Sequence, residues 1–306
     1  MSPRQTGPRA RLRRWLRRRL LARILRVVSW LAAKLSWRGA QRVGAALAVL
    51  GYPLARRDRG RAHEHLALAM PELSESEREA IVRANFRHFG LSGLELLHAL
   101  RRPPLDVARH VRFEGVEIID QLRAEKRPIL LVTGHCGNWE LISLANHAHG
   151  VGFAAMAREL EDPAAHGLAV RLRDHFGTET IARGSGSSAR QLLRALRSGK
   201  VLAMLIDQDI ATDGVWVPFF GHLAHTPRAV ADLALRLGAA VVPAFDERLD
   251  DGTHRAVFHP PLELPDDPVG ATAVMTAAIE AQVRRRPEQW VWMHRRWRRR
   301  PPADET

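Results

Sequence analysis

A single cysteine, Cys136, stands among 306 residues. The chain therefore builds no internal disulfide framework and no cysteine-cluster metal site, which fits a reducing compartment. Lysine is scarce as well: Lys34, Lys126 and Lys200 are the only three among 47 basic residues. Long apolar runs are missing. The longest uncharged stretch near the N-terminus, residues 43–55, has 13 residues and contains glycine and proline, whereas a spanning helix needs roughly 20 apolar residues. Arg23 and Arg26 interrupt the apolar stretch that a secretory signal would need. The chain also has no Gly-x-Ser-x-Gly elbow, no P-loop and no His-Glu-x-x-His. The pairs His63/His65 and His222/His225 are too loose in pattern to read as zinc ligands.

Acid is absent from residues 1–42, which carry thirteen Arg and Lys. A second basic cluster, Arg284–Arg286 and Arg295–Arg300, closes the chain, and the net charge is +14. Two basic ends point to an anionic partner, nucleic acid or an anionic membrane face; an arginine-biased composition is the plainer reading. No nucleic-acid fold signature accompanies the arginines, so no nucleic acid is expected. Leu12, Trp15, Leu16, Leu20, Ile24, Val27, Val28 and Leu31 recur at helical spacing with Arg between them. Such a basic helix with Trp and Leu on one face lies in a membrane interface or packs on the protein's own core.

Hydrophobic residues make up 46% of the chain, enough for a sizeable core. Residues 60–100 read as two helices punctuated at Pro71–Ser74, with Ser74 and Glu77 as a capping box. Short apolar runs at 128–133, 152–157, 201–206 and 239–245 read as strands. They alternate with helical patterns at 138–148, 163–176, 187–198, 228–237 and 269–285. This alternation predicts an α/β fold with a mixed, largely parallel sheet flanked by helices.

The sharpest feature is Gly134-His-Cys-Gly-Asn-Trp-Glu140, which leaves a buried strand and enters a helix. Ligands in α/β sheets bind beyond the carboxyl ends of strands, so a site belongs here. His135 and Glu140 fall on different faces of a regular helix. They meet only if His135 sits in the turn and Glu140 in the first helical turn. Glu140 would then accept from one imidazole nitrogen, fix the tautomer and make His135 a general base. A buried histidine beside a capping glutamate is the alternative. Cys136 is a poor nucleophile, because its sequence neighbour His135 points away from it.

The His-x4-Glu segment resembles the motif of glycerolipid-type acyltransferases. With it stand Leu205-Ile-Asp-Gln-Asp209, Val217-Pro-Phe-Phe-Gly221, Thr226, Leu233-Ala234, Gly238-Ala-Ala-Val-Val-Pro243 and Arg286 to Trp297. Together, in this order over about residues 40–297, they resemble the bacterial late lipid A acyltransferases. The resemblance implies transfer of an acyl group from acyl carrier protein to a lipid hydroxyl, with His135 as base and Glu140 assisting it. It implies that Arg158, and more weakly Arg173, hold anionic substrate. Asn138 and Trp139 would shape the site, Asp207 would belong to a shared block of substrate-binding or structural role, and Trp216, Phe219 and Phe220 would line an acyl channel. No cofactor and no metal are expected. Residues 1–55 would be a membrane-associating region, 56–300 the acyltransferase domain and 301–306 a loose tail. The protein would sit on the cytoplasmic face of the inner membrane, peripherally or by a single N-terminal anchor. His65 stands where the family pattern suggests asparagine. The family also extends to enzymes acylating mannosylated phosphatidylinositol, so other glycolipid acceptors share this chemistry.

Overall fold

The structure, a computed structural model, describes Arg19, Arg23 and residues 26–158, 162–184 and 186–301. Most of the amphipathic pattern read at 12–24 lies outside the described residues; residues 26–32 are helical. Then follow α1 (Trp37–Gly51), α2 (Arg56–Ala69), α3 (Glu75–Ala99) and α4 (Pro104–Ala108). The expected capping box starts α3: Ser74 Oγ accepts from the Glu77 amide and Glu77 accepts from the Ser74 amide.

The chain next builds the sheet. Its strands are β1 (Val111–Glu114), β2 (Ile129–Thr133), β3 (Phe153–Ala157), β4 (Thr178–Ala182), β5 (Val201–Leu205), β8 (Ala240–Arg248) and β9 (His254–Phe258). Between them come α5 (Glu117–Ala124), α6 (Ala145–His149), α7 (Pro163–His175), α8 (Ser188–Arg197) and α9 (Ala229–Leu237), and α10 (Pro268–Arg285) follows β9. A separate hairpin, β6 (Gly214–Phe219) and β7 (His222–Pro227), precedes α9. The spatial order is β1-β9-β8-β2-β5-β3-β4, antiparallel only between β8 and β9. The fold class is therefore the expected one.

β2 is buried along its whole length, as its near-continuous apolar run requires of a central parallel strand. Period-two alternation sends Leu130 and Val132 to one core with Leu202, Met204 and Val241, against α8, α9 and α10. Ile129 and Leu131 face a second core with Phe153, Val201 and Val242, against α5 and α7. The strand order reverses around β2, which has β5 on one side and β8 on the other. The crevice above such a switch is where this architecture binds ligands.

β1, β4, β9 and the hairpin were not legible as strands. β1, β4 and β9 are only four or five residues long and mix polar with apolar side chains without a continuous apolar run, and the hairpin turns through Phe220 and Gly221, both at positive φ. The helix expected over 138–148 is a 3₁₀ turn, Trp139–Leu144, running into the short α6.

Candidate active site

His135 sits in the loop that leaves β2, and Asp207 lies just past the end of the neighbouring β5. Parallel pairing of β2 with β5 brings together residues 72 positions apart in sequence. His135 Nδ1 lies 2.7 Å from Asp207 Oδ1. The His135 amide donates to Oδ2 at 2.7 Å, and Trp290 Nε1 donates to the same oxygen at 2.8 Å. Asp207 is buried. Burial pushes its carboxyl up, but the His135 charge and these three donors outweigh it and hold the pKa at about 2. Asp207 is thus an anion at neutral pH, so Nδ1 carries the proton and Nε2 is the basic nitrogen. Nε2 has no hydrogen-bond partner among the described residues, and the His135 side chain keeps 21% of its surface exposed. The Trp139 ring meets the imidazole edge-on with centroids 4.8 Å apart.

Glu140 lies in the first turn of the 3₁₀ segment, as expected, but it does not reach the imidazole. It forms a two-pronged ion pair with Arg173 from the last turn of α7, with contacts of 3.1, 3.1 and 2.5 Å. The planar fork of a guanidinium matches a carboxylate better than one imidazole N–H does. Asp207 already occupies the place under Nδ1. The tautomer-fixing contact expected of Glu140 is therefore made by Asp207. Arg173, read as a weaker anion holder, spends its fork on Glu140. Arg158 stands exposed just past β3.

The turn itself is held from below. Gly137 has φ of +60°, and a Cβ there would stand 2.0 Å from the Asp246 carbonyl oxygen, so only glycine fits. Asn138 is buried. Its amide donates to Asp246 Oδ2 at 2.7 Å and its side chain to Glu95 Oε2 at 3.0 Å. Between these acids lies His254, with Nδ1 2.8 Å from Asp246 and Nε2 3.3 Å from Glu95. Burial would lower the His254 pKa, but the two carboxylates raise it to about 9. Arg248 also pairs with Glu95. His88 Nε2 lies 3.1 Å from the Gly137 carbonyl. Burial, then the Arg248 charge, push His88 down to about 3, so it is a neutral donor there. Of this assembly only Asn138 was legible as a site residue. The signal missed was a set of scattered acids and histidines on α3, β8 and β9 that only the sheet brings together.

Cys136 is buried beside Trp290, and burial, with the nearby Asp207 charge, raises its thiol pKa, which removes it as a nucleophile. Phe219 and Phe220 pack into the Trp290, Trp292 and Trp297 cluster and are fully buried, so they line no open channel. An apolar cavity of about 50 Å³ lies on the opposite sheet face. Leu131, Trp139, Phe153, Met156, Ala203 and Leu205 line it, and Glu140 and Arg173 border it. Several closing arginines pair within the molecule, although Arg284, Arg285, Arg295, Arg298 and Arg300 stay exposed. Arg296 is buried on His225 and Thr226, Arg298 and Arg299 pair with Asp209, Arg285 with Glu247 and Arg284 with Glu280.

The family model described as bacterial lipid A biosynthesis acyltransferase matches residues 9–299. A lipid A biosynthesis lauroyltransferase of Escherichia coli (strain K12) is 30% identical over 281 residues, covering 90% of either chain. The lipid A biosynthesis myristoyltransferase of the same organism is 28% identical, over 82% of this chain and 78% of its own. A phosphatidylinositol mannoside acyltransferase of Mycolicibacterium smegmatis is 25% identical, over 65% of this chain and 67% of its own.

Proposed function

Since the chain belongs to the bacterial lipid A biosynthesis acyltransferase family and is an O-acyltransferase with a lipid acceptor, we propose that it acylates a hydroxyl of a lipid A precursor from an acyl carrier protein thioester. The observation that carries the mechanism is the His135–Asp207 pair at 2.7 Å, with Nε2 left open at the carboxyl edge of the sheet. Nε2 takes the proton of the acceptor hydroxyl as its oxygen attacks the thioester carbonyl. The tetrahedral oxyanion collapses, the C–S bond breaks, and the thiolate leaves with the proton from the imidazolium. An ester and a free thiol result. Asp207 keeps the imidazole in the reactive tautomer and stabilises its charged form. Glu140 assists indirectly: with Arg173 it fixes the rim of the apolar cavity, which takes part of the acyl chain. No metal or nucleotide enters this transfer.

A lipid acceptor requires a membrane surface. Val27, Trp30 and Leu31 on residues 26–32, and Leu47, Leu50 and Leu54 on or just after α1, are exposed apolar side chains near an arginine-rich N-terminus. No helix among the described residues is long and apolar enough to cross a membrane. These features support attachment to an anionic bilayer, the cytoplasmic face of the inner membrane, through this face.

The test is transfer by the purified full-length protein in mixed micelles, read by mass spectrometry. Donors are lauroyl carrier protein or lauroyl-coenzyme A, and acceptors are a tetra-acylated lipid A precursor or a phosphatidylinositol mannoside. Gain of one acyl mass on the lipid A precursor, with carrier protein preferred as donor, is expected. Acylation of the mannoside alone would overturn the acceptor, and preference for coenzyme A would overturn the donor. A second expectation concerns the cavity. Ala203→Leu fills it and lowers kcat/KM about tenfold for long acyl donors relative to short ones, the scale of one or two methylenes in a pocket. Equal rates across donor lengths would place the acyl chain elsewhere.

A further inference from the structure

Gly137, the pivot of the turn that presents His135, is held through both its carbonyl and its amide by residues that line one cavity. His88 Nε2 donates to the carbonyl at 3.1 Å, and the amide donates to the Gln289 carbonyl at 2.9 Å. Both residues face a pocket of about 540 Å³, the size of a small-molecule site, which acyl transfer leaves unused. The pocket lies between α1, α3, the turn joining β8 to β9, and residues 287–289. Trp37 Nε1 and Gln41 Nε2 donate to the Gly252 carbonyl at 3.1 and 2.6 Å, which pins that turn to α1.

The charges of the pocket are sorted by wall. The two helices contribute Arg38, Arg42 and Arg87, all exposed, and none of them pairs with a carboxylate among the described residues. The β8–β9 turn contributes Asp250 and Asp251, and Glu288 stands beside Gln289. Asp251 accepts from the Thr253 amide and hydroxyl, and Glu288 from the Gln289 side chain at 3.3 Å. Asp250 is exposed and makes no ion pair among the described residues. Arg248 lines the buried side. Its Nη atoms serve Glu95 and Ser92, while its Nε is buried with no acceptor among the described residues. A buried N–H without an acceptor calls for one. Arginines on the helices and carboxylates across from them fit a ligand that carries both signs.

We propose that this pocket binds a phosphoethanolamine group and that its occupancy steadies the catalytic turn. The phosphate lies among Arg38, Arg42, Arg87 and the Arg248 Nε–H, because guanidinium forks match phosphate oxygens two at a time. The primary ammonium, at the end of a two-carbon arm, gives its three donors to Asp250, Asp251 and Glu288. The group has two sources, the headgroup of a membrane lipid or a soluble phosphate monoester. Val49 follows Arg42 by seven residues and so shares its side of α1, and both Val49 and Leu50 are exposed. A headgroup would thus reach the arginines while these apolar side chains meet the acyl region. Bound there, the ligand fixes His88 and Gln289 and favours the ordered turn over any looser one. The site stands independently of the acyl-transfer reading above; its effect on the turn rests on that reading.

The experiment uses the full chain as wild type, Arg87→Ala, Asp250→Asn and Arg190→Ala. Arg190 is exposed on α8, so its removal changes the net charge without touching the pocket. Calorimetry on the resting protein measures binding of phosphoethanolamine, ethyl phosphate and ethanolamine. Flotation measures binding to phosphatidylcholine vesicles with and without phosphatidylethanolamine, and acyl transfer is followed in micelles of the same lipids. Wild type is expected to bind phosphoethanolamine at least tenfold more tightly than either half of it. Arg87→Ala and Asp250→Asn should each lose about tenfold, as loss of a charge-assisted hydrogen bond does, and Arg190→Ala should match wild type. With the ligand bound, kcat should rise about fivefold, the low end of coupling between sites. A gain in vesicle binding with phosphatidylethanolamine that Asp250→Asn abolishes assigns the lipid headgroup. Soluble binding without that gain assigns the free monoester. Ethyl phosphate binding as tightly as phosphoethanolamine, or both variants binding like wild type, would overturn the site. A kcat indifferent to bound ligand would overturn its effect on the turn. Binding that both variants weaken, in a protein that acylates no lipid, would keep the site and overturn the acyl-transfer reading instead.

Discussion

Asp207→Asn is expected to lower kcat about 10⁴-fold with little change in either KM, the scale seen when the carboxylate behind a catalytic imidazole becomes an amide. The geometry says why. Asp207 Oδ2 accepts from both the His135 amide and Trp290 Nε1, so the asparagine must keep its oxygen there. Its NH₂ then faces His135 Nδ1, which becomes an acceptor. The imidazole proton moves to Nε2, and the nitrogen that should take the hydroxyl proton already carries one. His135→Ala should cost at least as much, and the double variant no more than His135→Ala alone, because the two act as a unit. Single-turnover acyl transfer measures all three. Glu140→Gln supplies the contrast: it breaks the pair with Arg173 but leaves the tautomer intact, so its loss should be smaller. A larger loss in Glu140→Gln than in Asp207→Asn would restore Glu140 as the partner of the base. The same carboxylate also contributes to stability. Its pKa is depressed from 3.8 to about 2, so the contribution, about 2 kcal/mol, is present above pH 3.8 and lost as pH falls through 2.

How much of this was legible beforehand follows from which physics is local. The runs at 128–133 and 201–206 are strands because continuous apolar character within a few residues requires burial on both faces, and β2 and β5 lie there. Ser74 and Glu77 satisfy each other within one turn, so the start of α3 was readable as well. His135 stood out because a glycine-flanked histidine after a buried strand has few structural uses. Its partner was misplaced because the pairing with Asp207 is a property of strand order. Spacing within the motif points to Glu140, five residues away; only parallel pairing of β2 with β5 reveals an acid 72 residues away. The closing arginines were legible only in part. As a run they read as a surface for an anionic partner, yet Arg296 and its neighbours meet acids and carbonyls from distant strands. The charge pattern could not single out Arg296, which alone among them is buried under β7, from Arg284, Arg285, Arg295, Arg298 and Arg300, which stay exposed.

The turn that presents His135 depends on buried charge, and this gives the second large effect. Glu95 accepts from Gln41 at 2.7 Å and from Asn138, and pairs with His254 and Arg248. Glu95→Leu leaves the two cations buried without it, which should cost about 3–5 kcal/mol and lower Tm by roughly 10 °C. It also frees Asn138, so kcat should fall further than the unfolded fraction explains. The pH dependence identifies the charge involved. His254 faces Asp246 and Glu95, with Arg248 Nη1 3.0 Å from its Nε2 and the Trp37 ring at its edge. Its folded pKa of about 9 exceeds the unfolded 6.5. Folding therefore takes up a proton between these values. The stabilisation is complete below pH 6.5 and disappears as pH rises through 9. Denaturant unfolding of wild type between pH 6 and 10 should show that decline. His254→Gln should be less stable at pH 6, with a flatter profile that approaches wild type by pH 10. Parallel profiles for the two proteins would mean that His254 is neutral in the fold, and that Glu95 is held by Arg248 and the amides of Gln41 and Asn138 alone.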